Sequence, residues 1–166
     1  MNYIFCGYKS SGKTHLGKEL SQVLNYNFID IDKLILCTKN SNTSIAELYR
    51  KLGKQSFREL EVATVLRLQQ QPNTVIATGG GTVLDPRSAN HLKKLGQVIY
   101  LRASCDLIYQ RFLAQGCFPS FLDSNDLRLS LETDWHKRDK IYQQVADRVI
   151  AVDGFSSKQL IAQIME

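Results

Sequence analysis

The chain has 166 residues, about one domain's worth and enough to enclose a single core. Hydrophobic residues make up 43% and charged residues 22%, the balance of an ordinary globular protein, which excludes a disordered chain. The net charge of +5 comes from scattered Lys and Arg with no long basic run, so small anionic ligands account for it and no nucleic-acid partner is expected. Tyr3–Cys6 reads as a strand, followed by a glycine turn and a helix from about Lys13 to Leu24. Asn27–Ile31 reads as a second strand. Ser44–Lys51 and Gln55–Gln70 have helical spacing, the second with Leu60, Thr64 and Leu68 on one side. Thr74–Ala77 is a buried-strand pattern ending in Gly79-Gly80-Gly81. Pro86 opens a further helix, Val98–Leu101 is an apolar strand, and Ser104–Leu113 is helical. Another helix leads to Arg138, with Trp135 as a packing residue. Arg148–Val152 is a last strand, and Ser156–Met165 a closing helix.

This alternation predicts an α/β fold with a parallel sheet covered by helices. No repeat or linker interrupts it, so residues 1–166 read as one domain. Residues 114–125 fit neither period, carry Gly116 and Pro119, and read as a mobile loop. No apolar run is long enough to span a bilayer, so no membrane association is expected. Met1–Cys6 leads straight into the glycine turn, which predicts no signal peptide. Cys6, Cys37, Cys105 and Cys117 are widely spaced and read as reduced thiols of a cytoplasmic protein.

The strongest chemical signal is Gly7-Tyr8-Lys9-Ser10-Ser11-Gly12-Lys13-Thr14, a full G-x-x-x-x-G-K-[ST] match between a strand and a helix. Its glycines let backbone N–H groups turn toward an anion, and the helix adds its positive end. Gly7, Ser10, Ser11 and Gly12 would cradle the phosphates of ATP, Lys13 would reach the β- and γ-phosphates, and Thr14 would hold Mg²⁺. His15 follows directly and belongs to the stretch expected along the nucleotide. Its ring, like those of His91 and His136, reads as structural or surface rather than as a base or metal ligand.

Asp30 and Asp32 close the second strand, two residues apart and so on one face. Both carboxylates would then project over the carboxyl edge of the sheet, where open parallel sheets bind ligands. One would serve the metal shell and the other an attacking hydroxyl. Equally, Asp32 would cap a helix beginning near Lys33. Arg58 suits a bidentate clamp on a carboxylate, or a surface pair with a neighbouring glutamate. Gly79-Gly80-Gly81 permits close backbone approach to a ligand, or a bare tight turn.

In order along the chain, Gly7–Thr14, Asp30-Ile31-Asp32, Phe57-Arg58 with Glu61, Thr78-Gly79-Gly80-Gly81, and Arg138 with Ile141-Tyr142 and Val145-Ala146 resemble the shikimate kinase family. The resemblance implies a five-stranded parallel sheet in a single-domain P-loop kinase with a closing lid. It implies phosphorylation of the 3-hydroxyl of shikimate by ATP with Mg²⁺, in aromatic amino-acid biosynthesis, by a monomer. It further implies Asp32 as base and ligand of the substrate hydroxyls, with Arg58 and Arg138 on the substrate carboxylate. Gly80 and Gly81 would supply backbone donors, with Gly79 shaping the turn. Asp30 would support Mg²⁺ beside Thr14, and Arg111 would lie against the adenine.

The lid departs from that family. Its Arg-Pro pair corresponds here to Phe118-Pro119, and phenylalanine cannot stabilise developing negative charge. Three accounts stand side by side: Arg128 or Lys137 folds into the site; the enzyme works slowly without the arginine; or the lid serves another substrate or no catalysis. Ser10 also replaces a usual glycine, and Lys140 a usual proline. A kinase of another small hydroxy-acid, and a nucleotide-binding protein without turnover, are the alternative functions.

Overall fold

A computed structural model describes residues 1–39 and 43–166. One five-stranded, all-parallel sheet runs through it in the order β2-β3-β1-β4-β5. The strands are β1 (Tyr3–Cys6), β2 (Asn27–Asp30), β3 (Thr74–Ala77), β4 (Gln97–Arg102) and β5 (Arg148–Ala151). Around them lie helices α1 (Lys13–Leu24), α2 (Ile31–Thr38), α3 (Ile45–Leu66), α4 (Pro86–Leu95), α5 (Cys105–Gln115), α6 (Leu127–Val145) and α7 (Ser157–Met165). Helix α1 packs on β1, β2, β3 and α7, while α4 and α6 pack against β4. The inner strands are buried on both faces, so they read as continuous apolar runs such as Val98–Leu101 rather than as alternating ones.

Three boundaries differ from the sequence reading. The second strand ends at Asp30, because the Asp30 carboxylate accepts the Lys33 backbone N–H and starts α2 at Ile31. Asp32 therefore sits in the first helical turn, not on the strand, and Asp30 is the cap. The two helices expected around Ser44–Lys51 and Gln55–Gln70 join as α3, kinked at Gly53 (φ 76°, ψ 164°) and ending at Leu66. Its start is fixed by a reciprocal capping box between Ser44 and Glu47. Finally, Ala114 and Gln115 complete α5, which Gly116 terminates in a left-handed conformation at φ 60°. The irregular stretch is thus 117–126, ending at Asp126, the cap of α6.

Helix α6 is fastened to the sheet by a polar cluster. Asp139, almost fully buried, accepts Tyr100 Oη at 2.8 Å, Arg102 Nε at 2.8 Å and Gln143 Nε2 at 2.7 Å. Burial works against its charge, yet these hydrogen bonds hold the carboxyl below its ordinary range. Asp139→Ala leaves the Tyr100, Arg102 and Gln143 donors without their acceptor. We expect it to cost about 2–3 kcal/mol, read as a Tm lower by roughly 5–10 °C. A shift under about 2 °C would show that water replaces the cluster at no cost.

Candidate active site

The carboxyl end of β1 runs into the Gly7–Thr14 loop, and α1 begins immediately after it. Gly12, at φ 100°, caps α1 without a side-chain hydrogen bond, so the first N–H groups of the helix remain available to an anion. Lys13 is only 7% exposed, and its ammonium donates to the carbonyls of Gly7 (2.9 Å) and Tyr8 (2.7 Å). Burial lowers its pKa to about 8, against the opposing pull of Asp32. Ser10 adopts a left-handed conformation (φ 65°), and its carbonyl accepts Arg111 Nη1 at 2.6 Å. Thr14 Oγ1 donates to Asp30 Oδ2 at 2.8 Å, which places two hard oxygen ligands side by side. His15 lines the same cleft with its side chain 74% exposed and paired to Glu19 at 3.2 Å. Ser11 is buried within the loop.

A second cavity of about 400 Å³ adjoins this cleft. Asp32, Arg58, Arg138, Glu61 and the three glycines line it, so the structure brings together every residue expected at the acceptor side. Arg58 is no surface residue. Its guanidinium pairs with Glu61 at 2.5 Å and lies 5.9 Å from the Tyr49 ring centre, whereas Glu59 pairs with Arg87 instead. Glu61, 2% exposed, also accepts the Thr82 hydroxyl at 2.6 Å. Arg138, with its side chain 11% exposed, pairs with Asp134 at 2.8 Å. It lies between the rings of Tyr8 (5.2 Å) and Phe121 (4.5 Å). Asp134 in turn accepts the Tyr8 hydroxyl at 2.5 Å.

The triple glycine is needed for close approach rather than for an unusual turn, since none of the three has a positive φ. A Cβ on Gly81 would stand 2.1 Å from Arg58 Nη1, and one on Gly79 would stand 2.7 Å from Asp32 Oδ1. Burial raises the Asp32 pKa to about 6, reinforced by Glu61 and Asp30 and opposed by Lys13 and Arg58.

Neither cation proposed to replace the lid arginine reaches this cavity. Arg128 is held by Asp106 and by Glu132 (2.5 Å), over the Tyr109 ring. Lys137 lines a separate surface groove with Asp123 and Asp126. Phe118 packs against Phe112 and Tyr109 with ring centres 5.6 and 5.9 Å away, while still lining the cavity. Glu61, Tyr8 and Lys9 belong to the site although the sequence reading assigned them no role. Only Glu61 left a usable signal, its spacing of three from Arg58 on a helix.

A phosphate loop at the carboxyl edge of this parallel sheet, beside an arginine-lined cavity, defines a P-loop kinase acting on a small molecule. A sequence profile for shikimate kinase matches residues 9–166. The shikimate kinase of Syntrophus aciditrophicus is 35% identical over 175 residues, covering 99% of this chain and 89% of that protein. That of Xylella fastidiosa is 30% identical over 164 residues, with the same coverage. The structure of Acinetobacter baumannii shikimate kinase in complex with shikimate superposes with a TM-score of 0.88 at 27% identity, covering 99% of this chain and 90% of that one. The chain belongs to the shikimate kinase family, whose members are ATP-dependent phosphotransferases.

Two consequences can be measured. The folded pKa of Asp32, about 6, lies above the ordinary carboxylate value, so the folded state binds this proton more tightly and the ionised group destabilises the fold above pH 6. Asp32→Asn should therefore raise Tm by about 2–5 °C at pH 7.5, and the gain should vanish below about pH 4, where the group is protonated in both states. A variant less stable than the parent at pH 7.5 contradicts this electrostatic account. Arg128→Ala should leave kcat within about twofold of the parent, since only exposed ion pairs and the contact with the Tyr109 ring are lost, all outside the cavity. A large fall would return Arg128 to the site.

Proposed function

We propose that the protein transfers the γ-phosphoryl group of ATP to the 3-hydroxyl of shikimate, giving shikimate 3-phosphate and ADP for aromatic amino-acid biosynthesis. The observation that carries this reading is the pair of half-buried to buried arginines, Arg58 and Arg138, in a cavity that opens onto the phosphate loop beside Asp32. Two guanidinium groups suit one small carboxylate. Holding it at that end turns a ring hydroxyl toward the loop.

Each group then has a task. Gly7, Ser10, Ser11 and Gly12 cradle the phosphates with backbone N–H groups, and Lys13 leaves its carbonyl partners to pair with the β- and γ-phosphates. Arg111 flanks the adenine, and His15 lies at the rim. Gly80 and Gly81 offer backbone donors to the ring hydroxyls, with Gly79 giving Asp32 room. Asp32 accepts the proton of the 3-hydroxyl. That oxygen bonds to the γ-phosphorus, the bond from the phosphorus to the β,γ-bridging oxygen breaks, and ADP leaves with the electron pair. The hydroxyl of Thr14 and the carboxylate of Asp30 suit Mg²⁺, Asp30 through water. Bound there, the ion neutralises phosphate charge. The protein acts as a monomer in this reading, and the exposed thiols of Cys37 and Cys117 suit the reducing cytoplasm.

The test is ADP release from ATP and Mg²⁺ with and without shikimate. Release should depend on shikimate and fall by a factor of about 10² or more in Lys13→Ala. ATP binding without shikimate-dependent release would defeat the assignment. The profile of kcat/KM for shikimate should fall below about pH 6, as Asp32 takes up its proton. A flat profile from about pH 5 to 8 would remove Asp32 from the proton transfer.

A further inference from the structure

The nucleotide cleft and the acceptor cavity share three lining residues: Lys9, Asp32 and Gly80. A group passing from one space to the other must pass these three. Asp32 is acidic, and Gly80 offers only backbone. Lys9 is the one cation common to both spaces. Its main chain lies against the triple glycine, since a Cβ on Gly80 would stand 3.1 Å from Lys9 N and 3.7 Å from Lys9 Cβ. The Lys9 side chain is therefore rooted at the junction itself.

The neighbouring cations already have partners. Lys13 is held by two loop carbonyls, Arg111 by the Ser10 carbonyl, Arg58 by Glu61, and Arg138 by Asp134. Lys9 is exposed and makes no hydrogen bond or ion pair among the described residues. Arg50 also lines the acceptor cavity but does not reach the nucleotide cleft. On the opposite wall, Cys117–Phe121 contributes no charge, and Asp32 and Glu61 would repel an incoming phosphoryl group. Glu61 is already paired with Arg58, so among the residues shared by the two spaces Asp32 is the unpaired negative charge and Lys9 the unpaired positive one, where more negative charge must pass.

We propose that the Lys9 ammonium contacts the γ-phosphoryl group during transfer and the phosphate of the product afterwards, supplying at the junction the positive charge that the aromatic lid does not. The assignment rests on the kinase reading above. A four-carbon stem with a free ammonium can follow the phosphoryl group across the junction, which a fixed bidentate arginine cannot. Because the contact forms with the moving charge, its loss appears in kcat more than in ground-state binding.

The experiment compares Lys9→Met, close in size and uncharged, with Lys9→Arg, which keeps the charge, and with Lys9→Gln should the methionine variant fold poorly. Lys9→Met should lower kcat about 10²-fold, with KM for ATP and for shikimate each changed by less than about threefold. Calorimetric affinity for shikimate 3-phosphate should fall at least about tenfold while that for shikimate stays level. Lys9→Arg should recover most of both losses. A kcat within about threefold of the parent, or a loss confined to KM for ATP, or unchanged affinity for the phosphorylated product, would overturn the assignment. A parent protein that releases no shikimate-dependent ADP fails on the kinase reading itself. An active parent with an unaffected Lys9→Met fails on Lys9 alone.

Discussion

Everything at the site follows from three strands ending level with one another. Ala77 at the end of β3 lies opposite Asp30 of β2 on one side and Phe5 of β1 on the other. The phosphate loop, the start of α2 and the triple glycine are therefore delivered to one edge within a residue of each other. The parallel pairing imposes this, because every strand then points its carboxyl end the same way. A slip of one residue in β3 would exchange its faces and carry Gly79 and Gly81 away from the side chains they accommodate.

That convergence concentrates charge, and most of it is paired before any ligand arrives. Glu61 holds Arg58, Asp134 holds both Arg138 and Tyr8, and the loop carbonyls hold Lys13. Pairing keeps each buried charge affordable and fixes its direction, so little reorganisation is left for the reaction. Asp32 is the exception. It accepts a pKa raised to about 6 in exchange for standing ionised yet basic near neutrality. Such a value suits the proton transfer proposed for Asp32.

The sequence carried most of the fold and the nucleotide half of the site. Strands β1 and β3 and helix α1 were legible to the residue, because apolar runs, Gly12 and Lys13 are local signals. Arg58, Arg138 and the glycines were placed by family resemblance, but their physical reasons were not legible. That Gly81 yields to a guanidinium 23 residues away in the chain is a fact of tertiary contact. Period-two spacing put Asp32 on a strand and cap chemistry made it equally a helix cap; neither holds, because a side-chain hydrogen bond to Lys33 makes Asp30 the cap. Arg128 and Lys137 were offered for the lid by proximity in sequence, and helix geometry turns both elsewhere.

The lid's aromatic character is coherent once its contacts are considered. Phe121 stacks on the guanidinium of Arg138, and Phe118 rests on rings from α5, so the segment is fastened to the acceptor grip by apolar and cation–π contacts. Such a wall adds apolar surface to the cavity without adding a charge of its own. Apolar surface lowers the local dielectric and so strengthens the electrostatic interactions beside it, favourable and unfavourable alike. An uncharged wall in the same cavity as Asp32 and Glu61 therefore leaves the cation to come from another element. The loop that holds the nucleotide is the element positioned to provide one, because its residue at position 9 borders both spaces. Division of labour follows: the aromatic segment supplies apolar surface, and the phosphate loop supplies the charge.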